Sequence, residues 1–298
     1  MKRKWYGGST ELSVRMFVVM FLLAVVYLFF LTVLWSVGLD FFSLALIAAV
    51  MLLAQYFLSD KLVLWSMGAK EVSAVEAPQL HGMVERLAAM ADLPKPRIAI
   101  VQTSVPNAFA TGRNPKNSVV AVTTGLLDSL DTQEIEAVLA HELSHVRNRD
   151  VMVITMASFF ATIAQFIMRS AMFGGYGRGR RERGGDNLAI IYLVSIVVWL
   201  ISFFLIRALS RYRELAADRG SAIITGAPSN LASALLKISG VMQRIPQQDL
   251  RQVEGMNAFF ILPAVRGQSI MELLSTHPSL ETRLERLKRM QQEMESAS

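Results

Sequence analysis

The sequence predicts a mainly α membrane protein, with four hydrophobic helices in two hairpins and an α+β domain carrying a small sheet. Three observations predict it. Hydrophobic residues make up 53% of the 298 residues and charged residues only 18%. That apolar content is concentrated in four charge-free stretches: Met16 to Leu39, Phe41 to Ser59, Val151 to Met168 and Asn187 to Ile206. The chain between and after them, about 60–150 and 210–298, has the amphipathic and alternating patterns of water-facing structure.

The stretches hold 24, 19, 18 and 20 residues, long enough or nearly so to cross about 30 Å of hydrocarbon as helices rising about 1.5 Å per residue. Val151 to Met168 is the shortest and carries Thr155, Ser158, Thr162 and Gln165, so the second pair also reads as a hairpin that dips into the bilayer without spanning it. Lys2, Arg3, Lys4 and Arg15 precede the first stretch, whose apolar run exceeds that of a cleaved signal and leads directly into a second span. It reads as an uncleaved signal anchor. The positive-inside rule then puts the N-terminus in the cytoplasm, the Gly38-Leu39-Asp40 turn outside, and the chain back in the cytoplasm near Asp60 and Lys61. Residues 1–59 form the first membrane hairpin and 151–209 the second, while 60–150 and 210–298 form one water-facing domain that the second hairpin interrupts. The segment Gly174 to Gly185 conflicts with this rule, because it holds Arg178, Arg180, Arg181 and Arg183. Either the first two helices dominate and the loop is exported, or the hairpin re-enters and its arginines lie at anionic headgroups.

Nucleic acid is excluded as a partner, since no stacking aromatics or recognition fold accompany these arginines. The net charge of +6 suits a membrane surface. The absence of cysteine fits a reducing compartment and restricts any metal site to histidine and carboxylate.

Within the water-facing pieces, Glu76 to Ala91 has a helical stripe of Leu80, Val84, Leu87 and Ala88, with His81 on its surface. Arg97 to Val101 and Ser118 to Thr123 read as strands. Between them, Asn107-Ala108-Phe109-Ala110-Thr111-Gly112 and Arg113-Asn114-Pro115 suggest an extended segment entering a hairpin turn. An exposed strand edge there would hold an extended peptide by main-chain hydrogen bonds. Asp131 with Glu134 three positions on forms a capping box, and Ile135, Val138, Leu139, Leu143 and Val146 follow at helical spacing, predicting a helix over about 132–149.

That helix carries His141-Glu142-Leu143-Ser144-His145, an H-E-x-x-H run. Residues four apart share a helix face, so both imidazoles can aim at one ion, while Glu142, about 100° round, is free to take a proton from water. The pattern points to zinc-assisted hydrolysis. The polar collar Arg147, Asn148, Arg149 and Asp150 places it just outside the bilayer. Hydrolytic zinc takes three protein ligands plus water, and the glycine and third histidine of one familiar continuation are replaced by Asn148 and Val151. The third ligand is therefore His81, His277 or a carboxylate. In Arg213-Glu214-Leu215-Ala216-Ala217-Asp218, Glu214 and Asp218 share a helix face. One can bind the metal, and the other can accept the outer N–H of a ligating histidine. Thr276-His277-Pro278-Ser279 leads into a helix bearing Leu280, Arg283, Leu284 and Leu287. His277 or Arg283 held over the ion would steady the oxyanion of a tetrahedral intermediate.

Together the Asn107 to Gly112 segment, the His141 to His145 run, Glu214 with Asp218, Thr276-His277-Pro278 and the two spans on either side of the catalytic helix resemble the HtpX-type membrane zinc endopeptidases, bacterial relatives of the CAAX prenyl endopeptidases. The resemblance covers nearly the whole chain. It implies a gluzincin-like fold with one Zn2+ held by His141, His145 and Glu214, Glu142 as base, Asp218 behind the ligands, Asn107 and Ala108 on the substrate-binding strand, and His277 and Arg283 near the metal. It also implies a multi-pass protein of the bacterial plasma membrane whose cytoplasmic catalytic domain cuts damaged or misfolded membrane proteins and unfolded polypeptides. Two other readings are a narrow prenyl-protein processing peptidase and a non-catalytic scaffold whose zinc is closed by His277 as fourth ligand.

Overall fold

The structure, a computed structural model, describes residues 10–36, 41–174, 185–245, 261 and 276–296. Lys2, Arg3 and Lys4, the Gly38-Leu39-Asp40 turn and the four arginines between 178 and 183 lie outside the described residues. In chain order the elements are α1 (Thr10–Ser36), α2 (Phe41–Ser66), β1 (Lys70–Glu71), α3 (Pro78–Met90), β2 (Arg97–Val101), β3 (Ala108–Thr111), β4 (Val119–Thr123), α4 (Thr124–Ser129), α5 (Thr132–Arg147), α6 (Asp150–Gly174), α7 (Gly185–Thr225), α8 (Pro228–Met242) and α9 (Leu280–Ser296). Among the described residues the chain is mostly helical with one small sheet, and it divides into two units: Met1–Gly7 with Leu58–Met152 and Ser210–Ser298, and Gly8–Phe57 with Val153–Leu209.

In the first unit the sheet runs β1-β2-β4-β3. β2 and β4 are parallel with Arg97 opposite Val119, while β3 pairs antiparallel with β4, Ala108 opposite Val122. Every residue of β4, Val119 to Thr123, is buried, which is why this central strand reads as an unbroken apolar run instead of alternating. Against the sheet pack the stripes the sequence predicts: Leu80, Val84 and Leu87 of α3, and Ile135, Val138, Leu139 and Leu143 of α5. Leu231, Leu235 and Ile238 of α8 and Leu287 of α9 join the same core. His81, expected on the surface, is partly buried with its Nε2 3.0 Å from the Val72 carbonyl oxygen.

Helix α5 starts where the capping box sets it. The Glu134 amide donates to Asp131 Oδ1 at 3.0 Å, and the Asp131 amide donates to Glu134 Oε2 at 2.9 Å. It ends at Arg147, two residues short of the predicted limit, because Arg149 adopts a left-handed φ of 54°. A bulky residue in that conformation cannot continue a right-handed helix. The chain turns sharply, and α6 begins at Asp150.

Helix α7 reaches α5 closely at one glycine. A Cβ added at Gly220 would stand 2.2 Å from Ser144 Oγ, which is buried and already donates to the Ala140 carbonyl at 2.7 Å. Ser221 fixes the crossing by donating to the Ala137 carbonyl at 2.7 Å. Gly220→Ala should therefore destabilise the protein, since overpacking costs about 1–3 kcal/mol against the roughly 1 kcal/mol gained from alanine's helix preference. A thermal melt checks this; a melting temperature equal to or above that of the wild type would contradict the close approach.

In the second unit α1 buries Leu12, Val19, Leu23, Tyr27, Phe30 and Leu34, one face at helical spacing. The Tyr27 hydroxyl donates to the Ala157 carbonyl, satisfying its polar tip among apolar neighbours. The opposite face exposes Phe17, Phe21, Leu28, Phe29 and Trp35, and α7 exposes Leu193, Val197 and Phe204. Such continuous apolar faces suit hydrocarbon, not water. Among the described residues two helices are long and apolar enough to cross a membrane, Thr10–Ser36 and Ala189–Thr225. The apolar part of α6, Asp150–Gln165, is shorter, so the expectation of four spanning helices is met for two. The polar residues Thr155, Ser158, Thr162 and Gln165 lie on that shorter helix.

Candidate active site

Helix α5 places His141 and His145 one turn apart, their rings edge to face with centroids 4.8 Å apart and their Nε2 atoms 3.1 Å apart. Helix α7 adds Glu214, whose Oε2 is 3.6 Å from His141 Nε2 and whose Oε1 is 3.4 Å from His145 Nε2. Ligand atoms of all three side chains lie within 4.8 Å of one another. One turn further along α7, Asp218 Oδ1 stands 3.0 Å from His141 Nδ1. Asp150 Oδ2 stands 2.6 Å from His145 Nδ1.

This donor set fits a metal ion. With a carboxylate facing each Nδ1, the Nδ1 position is favoured for the proton and the two Nε2 lone pairs face each other. Nitrogens bound at about 2.0–2.1 Å to one tetrahedral ion would stand roughly 3.3 Å apart, close to the 3.1 Å between these two. Two neutral nitrogen acceptors at this distance repel unless a cation lies between them. Burial works against charging either imidazole, but the Asp218 and Glu214 carboxylates outweigh it at His141 and raise its pKa to about 9. Burial lowers the pKa of His145. Without metal, the pair thus holds one proton more than two neutral imidazoles near neutral pH.

A zinc ion held between these imidazoles would have to displace that proton. Since coordination needs both imidazoles neutral, zinc affinity should rise with pH from about 6.5 to about 9, by up to roughly tenfold per pH unit for one displaced proton. Competition with a chelator at several pH values, corrected for the chelator's own titration, measures this, and a flat affinity would show that no proton is displaced.

Glu142 is 4% exposed, and burial pushes its carboxyl above the usual range, partly opposed by the two imidazoles. The Ala110 amide donates to it. This contact follows from the register of β3. The Thr123 amide donates to the Asn107 carbonyl at 2.9 Å, so hydrogen-bonded pairs alternate from there and Ala108 and Ala110 turn their backbone groups away from β4. Among the described residues β3 ends the sheet, with this outward edge beside Glu142. Asn107 is fully buried; its amide donates to Thr123 Oγ1 at 2.8 Å and its Oδ1 accepts from the Ile261 amide at 3.0 Å. Its side chain thus anchors the strand, leaving the edge contacts to Ala108 and Ala110.

His277 lies in the turn before α9, buried, its Nδ1 3.2 Å from Glu214 Oε2. Arg283 is 0% exposed. Its Nε and NH2 donate to the two Asp218 oxygens at 2.9 and 2.6 Å, its NH1 donates to the Ile261 carbonyl at 2.7 Å, and NH1 also lies 3.6 Å from Glu214 Oε2. His81 bonds at Val72, apart from this donor set. Sequence reasoning left out three participants. Ala110 follows from strand register, Asp150 sits five residues after His145 where it reads as part of a polar collar, and Arg213, given no role by the sequence, is 7% exposed and paired with Asp150.

The profile of peptidase family M48 matches residues 74–291. The chain belongs to peptidase family M48. This M48 member is 63% identical over 295 residues, 98% of this chain and 99% of the relative, to a protein of Moorella thermoacetica named Protease HtpX homolog. It is 62% identical over 295 residues to Protease HtpX homolog 2 of Methanosarcina mazei, covering 99% of this chain and all of that one. The resemblance drawn from the motifs is thus borne out, and the chain is a membrane-associated metalloprotease. A crystal structure of S. mikatae Ste24p has the same fold at a TM-score of 0.53 and 19% identity, over 94% of this chain and 66% of that one.

Proposed function

We propose that this M48 peptidase binds one zinc ion through His141, His145 and Glu214 and hydrolyses internal peptide bonds of damaged or misfolded membrane proteins at the cytoplasmic face of a plasma membrane. The observation that carries the reading is the convergence of these three donors within 4.8 Å, with Asp218 behind one imidazole. Residues 1–59 and 151–209 are the two membrane hairpins, four hydrophobic helices in all, and 60–150 with 210–298 form the catalytic domain. Zinc, when bound, would polarise the scissile carbonyl and make water more acidic.

An extended substrate adds to the outer edge of β3 through the backbone groups of Ala108, in the register that Asn107 holds from behind. Glu142, raised by burial, accepts the proton of the attacking water and passes it to the leaving amine. His277 is the polar side chain offered to the developing oxyanion. Arg283, whose guanidinium grips Asp218 and the Ile261 carbonyl, supports that charge through Glu214 and Asp218. The scaffold reading needs His277 as a closing ligand, whereas the group of donors that converge within 4.8 Å is His141, His145 and Glu214.

Incubating the purified chain with an unfolded membrane protein, with and without a chelator and then with zinc restored, tests the proposal. Cleavage that stops with the chelator and returns with zinc is expected. Cleavage indifferent to the chelator, or none in the zinc-loaded protein, would overturn it.

A further inference from the structure

We infer that Asp150, clamped by Arg213, positions His145 for metal binding, so that the elbow between α5 and α6 is part of the metal site. This rests on the zinc-site reading above. The left-handed turn at Arg149 delivers Asp150 to the His145 ring, with Oδ2 2.6 Å from Nδ1. Both Asp150 and Arg213 are buried, at 6% and 7% exposure. Arg213 NH2 pairs with Asp150 Oδ1 and also donates to the Asn148 carbonyl at 3.0 Å. One guanidinium nitrogen therefore holds both Asn148, the residue that caps the end of α5, and the first residue of α6.

The chemistry of a neutral imidazole makes this useful. It has one N–H, and a carboxylate at Nδ1 keeps the proton there, leaving the Nε2 lone pair on the side of Glu214. Burying a carboxylate is costly unless it is paired, and Arg213 pairs with Asp150 Oδ1. The same arrangement stands behind the other histidine, where Asp218 faces His141 Nδ1 and Arg283 grips Asp218. Each imidazole is thus backed by an Asp–Arg pair, one from α7 and α9 and the other from the α5–α6 elbow and α7. Because Arg213 and Glu214 are consecutive, α7 carries a metal donor and the clamp of the second pair side by side. Asp150 and Arg213 are positioning residues, since they act through His145.

Zinc affinity of the full chain in detergent, measured by chelator competition, tests the inference. Asp150→Asn should weaken binding about 10–100-fold, and Asp150→Glu should recover part of it. Arg213→Gln should also weaken binding, and the double variant should bind no more weakly than Asp150→Asn alone, because Arg213 works through Asp150. The cobalt-loaded Asp150→Asn protein at saturation should show a shifted visible spectrum, a change that loss of stability alone does not produce. Wild-type affinity and spectrum in Asp150→Asn, or additive losses in the double variant, would overturn the inference. Should Asp150→Asn fail to fold, Asp150→Glu and Arg213→Lys carry the test, both expected to bind several-fold more weakly; wild-type affinity in both overturns it. A wild-type chain that binds no zinc removes the metal site itself and this inference with it.

Discussion

Glu142→Gln should lower the turnover number on an unfolded substrate by about 100- to 10,000-fold while zinc remains bound at the wild-type ratio, the range a positioned general base contributes. Glutamine keeps the shape of the side chain and its carbonyl can accept the Ala110 amide, but it takes no proton from water. Glu142 stands next to one of the two histidines proposed to hold zinc and three residues from the other, outside the group of converging donors, which is why chemistry and metal binding should separate. The wild-type rate should rise with pH through the raised value of this carboxyl, because the base acts only when ionised; burial is the cause of the rise. Turnover and zinc content measured on the same preparation decide the matter. Undiminished hydrolysis in Glu142→Gln, free of other proteases, would remove this residue from the chemistry.

The second large effect is on stability. Arg283→Met should lower stability by about 3–5 kcal/mol, the cost of removing one partner from a buried charge pair. At about 2–4 °C per kcal/mol for a chain of this size, the melting temperature should fall by roughly 6–20 °C. The cause is specific: Asp218 would lose both guanidinium bonds, the Ile261 carbonyl would lose its donor, and Glu214 would lose a nearby cation. Arg283→Lys should fall between, since an ammonium restores the charge but not the two-pronged geometry. A melt within about 2 °C of wild type for Arg283→Met would show that the neighbouring carboxylates are compensated by other groups.

Much of the local structure is legible in the chain because its signals are short in range. The capping box of Asp131 and Glu134 sets the start of α5 at the predicted residue, and the stripes of α3 and α5 face the core as their spacing dictates. The end of α5 was less legible, since nothing in Arg147 to Arg149 forces a left-handed arginine; the sharp turn into α6 decides it. His81 and Arg213 show the same limit. His81 reads as a surface residue and Arg213 has no role in the sequence, yet each is given a partner by a segment distant along the chain or across a turn: Val72 for His81, and Asp150 and Asn148 for Arg213.

By itself the sequence determined the chemistry on offer: two histidines one helical turn apart with a glutamate between them, no cysteine, and carboxylates at Glu214 and Asp218. These are properties of residue type and helical period, which need no distant contact. Only the tertiary structure decided which groups meet. Gly220 lets α7 approach α5, bringing Glu214 and Asp218 to the imidazoles, and β3 turns Ala110 toward Glu142. Such convergence depends on the packing of elements separated by as many as 77 residues, from His141 to Asp218, and no local pattern encodes the distance between them.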